Sequence, residues 1–327
     1  MEKKDLRIVF MGTPEFAVAS LQRLVEEEYN VVAVVTQPDK PVGRHGSVLR
    51  ASAVKEYALV HGIPVLQPVK MKDPDFVSAL AAFKADLQVV VAFRMLPEVV
   101  WSMPRFGTFN VHAALLPQYR GAAPINWAVI NGEKTTGVTT FFLDHDIDTG
   151  RIIAQKKFAI PDDADVEYVY DGLMVLGAEI CVETVNRVIE TDGNVPSVPQ
   201  VEAAEMKSAP KIFKETCEID WNMTAKRVHD FVRGLCPVPG AWTNLVSVEA
   251  EGARPSVLKI FRTARTASMA DAAPGTLRTD HGRLFVATTD EWLEIAELQS
   301  SGKKRMAARD FLNGFKDIDC YRVEKGQ

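Results

Sequence analysis

Cysteine is scarce and scattered in this chain of 327 residues. The four cysteines are Cys181, Cys217, Cys236 and Cys320, and no two of them form a CxxC pair. Disulfide-held secreted domains and structural zinc sites both depend on closely spaced cysteines. The spacing therefore predicts reduced thiols in a cytoplasmic protein rather than a disulfide or zinc framework.

Long apolar runs are missing as well. No run approaches the roughly 20 residues that a membrane-spanning helix requires. Near the N-terminus the apolar run Ile8–Met11 is followed at once by Gly12, so it is too short for the hydrophobic region of a signal peptide. We expect this run to be a buried first strand.

The usual nucleotide-binding fingerprints are also absent. The first turn reads GTPEFA instead of GxGxxG, and it puts Pro14 and Glu15 where a pyrophosphate needs free backbone N–H groups and no negative charge. No GxxxxGK[ST] sequence occurs. Asp144 and Asp146 lie near Asp148, but no set of histidines and carboxylates has the spacing of metal ligands. We therefore expect neither a nicotinamide cofactor nor a metal.

Buried strand-like runs alternate with amphipathic segments in the first part of the chain. The runs RIVFM, VVAVVT and LQVVVAF are continuous and apolar, as in parallel strands with both faces covered. A first helix is predicted from Pro14 to about Glu28, with Thr13 as its N-cap, and a long closing helix over 164–192. The order predicts an α/β, Rossmann-like, mostly parallel sheet.

A change of pattern suggests two domains, 1–191 and 213–327. Residues 192–212 contain three prolines and no helical or strand period, which is typical of a linker. From about 213 a helix and several short alternating runs predict a smaller antiparallel barrel or sandwich. Residues 207–327 carry a net charge of +3 and residues 1–206 one of −8. This asymmetry is compatible with a polyanionic partner or with an ordinary mixed surface.

Three polar side chains mark a candidate site. Asn110 and His112 are two residues apart at the end of a strand-like run, so both face one side of the sheet, at the strand end where open α/β sheets bind ligands. An amide and an imidazole can donate to a carbonyl oxygen that gains negative charge. Asp148, in the loop after the next strand, can tune His112 or accept a proton through water.

Two loops around these residues leave their roles open. The stretch LLPQYRGAAP either presents backbone groups, Leu115 and Leu116 to a flat ring or is an ordinary connection. Residues 37–50 hold three cations and one acid, and they form either an exposed connection or a basic arm that meets phosphates. His145 is expected to point to solvent.

Taken together, these stretches resemble the folate-dependent formyltransferases, over nearly the whole chain. The resemblance rests on RIVFMGTPEFA, VVTQPDKPVGR, VVVAF, NVHAALLPQYRGAAPI, DIDTG, APKI followed by EIDW, and GLCPVPGAW, in this order. It implies transfer of the formyl group of 10-formyltetrahydrofolate to the amino group of methionine on initiator tRNA, which supports translation initiation. Asn110, His112 and Asp148 would be the catalytic residues.

The resemblance also implies the binding residues. Folate would contact the tetrapeptide Ala114, Leu115, Leu116 and Pro117, where the family usually has serine at the first position, so any contact of the serine hydroxyl is lost. Arg44 would meet the tRNA. Some relatives carry a lysine pair where this chain has Gly46 and Ser47, and Arg50 would compensate.

The resemblance further implies an oligonucleotide-binding (OB)-like barrel as the second domain, and we expect a cytoplasmic monomer. Two other functions remain open. One is a formyltransferase or hydrolase with a small acceptor: a sugar-nucleotide amine, a purine precursor or water. The other is a catalytically silent RNA-binding protein on the same fold.

Overall fold

The computed structural model describes residues 1–42, 48–202, 204–249, 254–315 and 317–326. They divide into two units. The first comprises Met1–Gly121, Thr135–Ala159 and Tyr170–Ser208, and the second comprises Ala122–Lys134, Ile160–Val169 and Ala209–Gln327. Two internal segments of the N-terminal half are thus grouped with the C-terminal residues. The domain boundaries at 191 and 213 stay a prediction.

A mostly parallel seven-stranded sheet forms the centre of the first unit. The first eleven strands of the chain are β1 (Ile8–Gly12), β2 (Val31–Val35), β3 (Lys40–Val42), β4 (Val48–Arg50), β5 (Val65–Leu66), β6 (Leu87–Val91), β7 (Thr108–His112), β8 (Arg120–Gly121), β9 (Thr135–Phe142), β10 (Ile152–Ala159) and β11 (Ser208–Ala209). The sheet order is β10-β9-β7-β6-β1-β2-β5. In this order the neighbouring strands β7, β6, β1, β2 and β5 are all parallel to one another. Strand β9 runs antiparallel to both β7 and β10. The predicted Rossmann-like sheet is confirmed.

Burial along the strands follows their place in the sheet. Every residue of β1 and β6 is buried, because these strands are central and both of their faces are covered. Strand β10, at the edge, is only intermittently buried. The helices of the chain are α1 (Glu15–Glu26), α2 (Ala53–Val60), α3 (Pro74–Ala82), α4 (Glu98–Trp101), α5 (Pro124–Ile130), α6 (Val166–Glu190), α7 (Ala225–Leu235) and α8 (Ala308–Gly314).

The turn from β1 into α1 differs from the predicted one in its cap. Pro14, not Thr13, is the N-cap residue, and no side chain caps the helix. The hydroxyl oxygen of Thr13 is buried without a hydrogen-bond partner. A Cβ on Gly12 would lie 2.6 Å from the Cβ of Ala17 and 2.9 Å from the carbonyl oxygen of Val91. The tight turn therefore requires glycine here for close packing.

Two segments expected to be irregular contain paired backbone. Strands β3 and β4 form a two-stranded antiparallel ribbon in which Lys40 lies opposite Arg50. Arg44, the predicted tRNA contact, lies outside the described residues. In the predicted linker, Val198 forms an antiparallel bridge with Ile152. This linker is thus attached to strand β10 rather than free of it.

The second unit is built around an antiparallel sheet. Its strands are β12 (Ala241–Ser247), β13 (Ser256–Met269), β14 (Leu277–Asp280), β15 (Arg283–Ala287), β16 (Glu291–Ser300), β17 (Met306–Ala307) and β18 (Tyr321–Glu324). They follow the order β14-β15-β16-β13-β12-β18, and β17 pairs with β16. Helix α7, capped by the Thr224 hydroxyl, supplies Val228, Val232 and Leu235 to the core over this sheet. The predicted small antiparallel β domain is confirmed.

Candidate active site

Strand β7 places Asn110 and His112 on one face, at its carboxyl end and between the neighbouring strands β6 and β9. Asn110 is in register with Val90 of β6, and His112 lies opposite Thr139 of β9. His112 is buried, with 6% of its surface exposed, and Asn110 is half-buried. The side-chain oxygen of Asn110 is buried and has no hydrogen-bond partner. A buried polar atom of this kind is costly unless a ligand or water satisfies it.

The imidazole of His112 is held by the chain itself. Its Nε2 lies 2.8 Å from the carbonyl oxygen of Tyr119. Because a carbonyl only accepts hydrogen bonds, Nε2 carries a proton and donates. The other ring nitrogen, Nδ1, lies 3.8 Å from a carboxylate oxygen of Asp148, beyond hydrogen-bond distance. Nδ1 is therefore the ring atom left to exchange a proton with a substrate.

Asp148 is oriented by the loop that follows Pro117. Its Oδ2 accepts a hydrogen bond from the backbone N–H of Gly121 at 2.9 Å, and the same oxygen faces His112. Its backbone has φ +55°, in the left-handed region. A Cβ on Gly150 would lie 1.6 Å from the carbonyl oxygen of Phe142, so the DIDTG loop must turn back tightly at a glycine.

The other acids of this loop do not join the site. Asp144 accepts hydrogen bonds from the hydroxyl of Thr149 and from the backbone N–H of Asp146, so it stabilises the loop from within. His145 has a side chain that is 73% exposed, as predicted. Among the described residues, no three His, Cys, Asp or Glu side chains are grouped to hold a metal ion.

The tetrapeptide 114–117 is held by a hydroxyl that sequence reasoning missed. The Oγ1 of Thr139 donates to the carbonyl oxygen of Ala114 at 2.6 Å and accepts from the N–H of Leu116 at 3.1 Å. Gln155 donates from Nε2 to that hydroxyl and to the carbonyl oxygen of Leu116. The Thr- and Phe-rich run TTGVTTFFLD predicted a strand, but only the register of β9 with β7 shows that Thr139 reaches this loop.

A cavity of about 540 Å³ lies in the first unit, beyond the end of β6. It is lined by Lys70, Met71, Lys72, Met95, Leu96, Pro97, Glu98, Trp101 and His145. Asn110, His112 and Asp148 do not line it, but His145 belongs to the same loop as Asp148. The floor is apolar and aromatic, and the exposed rim carries two lysines and Glu98, so the cavity suits a flat ring whose anionic tail lies on the lysine side. Sequence reasoning singled out neither lysine.

Arg94 fixes the segment that carries those lysines. Its guanidinium donates to the carbonyl oxygens of Val69, at 2.9 Å, and Pro68. Burial lowers the pKa of Arg94, because the charged guanidinium loses solvent. The segment before Lys70 is thus attached to the end of β6.

Asp39, the acid in residues 37–50, already has side-chain partners outside this loop. Asp39 pairs with the ammonium of Lys55 at 2.6 Å and accepts from Gln67 at 2.7 Å. The hydrogen bond from Lys55 is the main cause that lowers the pKa of Asp39. Lys40 and Arg50, which flank the undescribed residues, are both exposed.

Comparisons with known proteins give a consistent family. The sequence model of "Formyl transferase" matches residues 6–185, and that of "Formyl transferase, C-terminal domain" matches residues 211–316. The methionyl-tRNA formyltransferase of Parabacteroides distasonis is 58% identical over 99% of this chain and 100% of its own length. That of Bacteroides fragilis is 55% identical over 99% of both chains.

Solved structures share the fold at low identity. The Aquifex aeolicus protein HypX, in complex with tetrahydrofolic acid, has a TM-score of 0.61 and 20% identity. The match covers 95% of this chain but only 47% of HypX, so the chain spans about half of that protein. An N-formyltransferase from Helicobacter canadensis, in complex with folinic acid and dTDP-3-aminofucose, has a TM-score of 0.63 and 18% identity, over 90% of this chain and 99% of its own.

Proposed function

The chain belongs to the formyl transferase family, and from this premise we propose that it transfers the formyl group of 10-formyltetrahydrofolate to the amino group of methionine on initiator methionyl-tRNA. We infer the acceptor from the match to relatives named methionyl-tRNA formyltransferase, which are 58% and 55% identical over nearly the full length of both chains. Both family models, N-terminal and C-terminal, match this one chain.

Asn110, His112 and Asp148 carry the chemistry in this proposal. The methionine amine attacks the formyl carbon, and the carbonyl oxygen becomes an oxyanion that accepts a hydrogen bond from the amide of Asn110. The Nδ1 of His112 takes the proton that the amine loses. The hydrogen bond from Nε2 to the carbonyl oxygen of Tyr119 supports this choice of nitrogen.

Asp148 completes the proton transfer. Its carboxylate, 3.8 Å from Nδ1, attracts the imidazolium as it forms. When the bond between the formyl carbon and N10 of the folate breaks, Nδ1 returns the proton to N10. One proton thus moves from the amine to N10, and His112 ends in its starting state.

The folate donor is proposed to lie along the tetrapeptide Ala114–Pro117 and in the cavity beyond β6. The apolar floor and Trp101 suit the aromatic parts of folate, and Lys70 and Lys72 suit its glutamate carboxylates. The Thr139 hydroxyl fixes the backbone of the tetrapeptide against which the donor would rest. A bound tetrahydrofolic acid in the structural neighbour HypX supports the donor class.

The tRNA is proposed to meet Arg44 and the 213–327 region, with residues 1–191 carrying the transfer chemistry. The exposed Lys40 and Arg50 on either side of Arg44 add positive charge for phosphates. No described helix has the length and apolarity to cross a membrane. We propose a monomer that acts in the cytoplasm, because translation supplies its acceptor there.

Direct assay of the product tests this function. The protein is incubated with 10-formyltetrahydrofolate and charged initiator tRNA, and formyl-methionine is measured after deacylation of the tRNA. We expect formyl-methionine with initiator methionyl-tRNA and none when the folate is left out. Formylation of a sugar-nucleotide amine but not of the tRNA would favour the small-acceptor function, and tRNA binding without any transfer would favour the silent RNA-binding protein.

A further inference from the structure

Gln200 connects the loop that carries Asp148 to Arg120, which directly precedes Gly121. Its Nε2 donates to the carbonyl oxygens of Asp148, at 2.8 Å, and Gly150, at 2.9 Å. Its Oε1 accepts from Nε and Nη2 of Arg120, at 3.1 and 2.7 Å. One side-chain amide therefore makes four hydrogen bonds, two on each side.

These bonds form a closed ring around the carboxylate of Asp148. Arg120 is followed by Gly121, and the Gly121 N–H donates to Asp148 at 2.9 Å. Gln200 thus holds the backbone of Asp148 from one side and the donor to its side chain from the other. Asp148 has φ +55°, a conformation that costs free energy for a residue with a side chain, so an external bond to its carbonyl helps to keep it there.

The backbone before Gln200 is itself fixed. Val198 and Ile152 exchange two backbone hydrogen bonds, of 2.8 and 2.9 Å. Because this pair fixes the backbone two residues before Gln200, the side chain of Gln200 extends from a defined position. Glutamine is suited to this place because it donates to two carbonyls and accepts from a guanidinium at the same time.

We propose that Gln200 is a positioning residue, which keeps Asp148 and the Gly121 N–H in the arrangement that faces His112. It acts through Asp148 and touches neither substrate. The expected effect of Gln200 on turnover rests on the proposed formyl transfer. The role of Gln200 in the ring of hydrogen bonds does not depend on that function.

The first test uses the full-length protein without substrates. Hydrogen exchange of the Gly121 amide is measured by NMR in the wild type and in Gln200→Met, which keeps the side-chain length and removes all four bonds. We expect exchange at Gly121 to become about tenfold faster, because this amide is protected by its bond to Asp148. Gln200→Glu keeps the acceptor for Arg120 but cannot donate to the two carbonyls, and we expect it to speed the exchange as well.

Gln118 offers a matched control. Its amide also joins two backbone groups, donating to the carbonyl of Glu205 at 2.9 Å and accepting from the N–H of Lys207 at 2.8 Å, but it makes neither bond to the Asp148 loop. Gln118→Met should speed exchange at Gly121 less than Gln200→Met does, because Gln118 holds the segment before β11, which pairs with β8, and not the Asp148 loop. Wild-type exchange at Gly121 in both Gln200 variants would overturn the proposal.

Kinetics supply the second test. We expect Gln200→Met to lower kcat about tenfold and to change KM for each substrate by less than about twofold, as for a group whose effect is made in the transition state. In an Asp148→Asn background, Gln200→Met should lower kcat little further, because both residues act on turnover through the same carboxylate. A full tenfold loss in that background would overturn the proposal. Absence of transfer by the wild type would instead reject the proposed function, and Gly121 exchange would still decide the role of Gln200.

Discussion

His112 and Tyr119 are joined by a hydrogen bond of 2.8 Å between the ring Nε2 and the backbone carbonyl oxygen. This bond fixes both the plane of the imidazole and the nitrogen that carries its proton. Tyr119 itself has φ +61°, so the loop turns sharply to aim its carbonyl at the ring. The remaining nitrogen, Nδ1, then faces Asp148, and the proposed reaction can use only that atom.

We expect Asp148→Asn to lower kcat about 10²–10³-fold, the size of effect seen when one transition-state stabilising group is removed. Asparagine keeps an oxygen for the Gly121 N–H but lacks the negative charge that faces Nδ1 of His112. KM for both substrates should change little. Asp146→Asn, at an exposed acid of the same loop, is the matched control. Equal turnover of the Asp148 variant and the wild type in single-turnover formylation would contradict the mechanism.

We expect Arg44→Ala to raise KM for initiator tRNA by about three- to tenfold and to leave KM for the folate unchanged, because a phosphate contact contributes mainly to binding of the nucleic acid. The slope of log affinity against log salt should become shallower by about one unit. Filter binding over a range of salt measures both affinity and slope. An equal loss of activity with a free small amine as acceptor would show that Arg44 does not act through tRNA.

Local sequence patterns were sufficient to predict the mostly parallel sheet and to place Asn110 and His112 on the same face of their strand. A buried apolar run such as β1 predicts a central parallel strand because both of its faces are covered, and the period of two puts residues 110 and 112 on one side. Thr13 was wrongly predicted as a cap. The preference for threonine at that position was overridden by Pro14, whose extended backbone starts the helix.

The residues that hold the site in place, Thr139 and Gln200, could not be predicted from local sequence patterns. Thr139 meets the 114–117 loop only through the pairing of β9 with β7, and Gln200 lies in a proline-rich stretch without any period. Its partners, Arg120 and Asp148, are 80 and 52 residues away in the chain. Contacts over such distances depend on the folded sheet, and no local pattern of a single sequence records them.

We expect the double substitution Lys70→Gln and Lys72→Gln to raise KM for 10-formyltetrahydrofolate by about threefold and to leave KM for tRNA unchanged. The effect is modest because exposed charges contribute little each. Folate binding should also quench the fluorescence of Trp101, which lines the same cavity. Lys157→Gln, at an exposed lysine of strand β10, removes one positive charge away from the cavity and should leave both KM values unchanged. An unchanged KM for the folate together with a raised KM for tRNA would assign the lysines to the nucleic acid instead.

Two buried threonines of β9 allow a matched comparison of stability and donor binding. The Thr139 hydroxyl donates to Ala114 and accepts from Leu116, whereas the hydroxyl oxygen of Thr136 is buried without a partner. Valine has nearly the same shape as threonine and removes only the hydroxyl. Thr139→Val leaves a buried carbonyl and a buried N–H without that hydroxyl, which costs about 1–3 kcal/mol of unfolding free energy.

Thr136→Val removes a buried polar atom that has no partner, so it should be neutral or stabilising. Urea unfolding of the two variants measures the difference. Because the 114–117 backbone is also the proposed support of the folate, Thr139→Val should raise KM for 10-formyltetrahydrofolate while Thr136→Val should not. Equal unfolding free energies and equal KM values for the two variants would show that the Thr139 hydroxyl does not hold this loop.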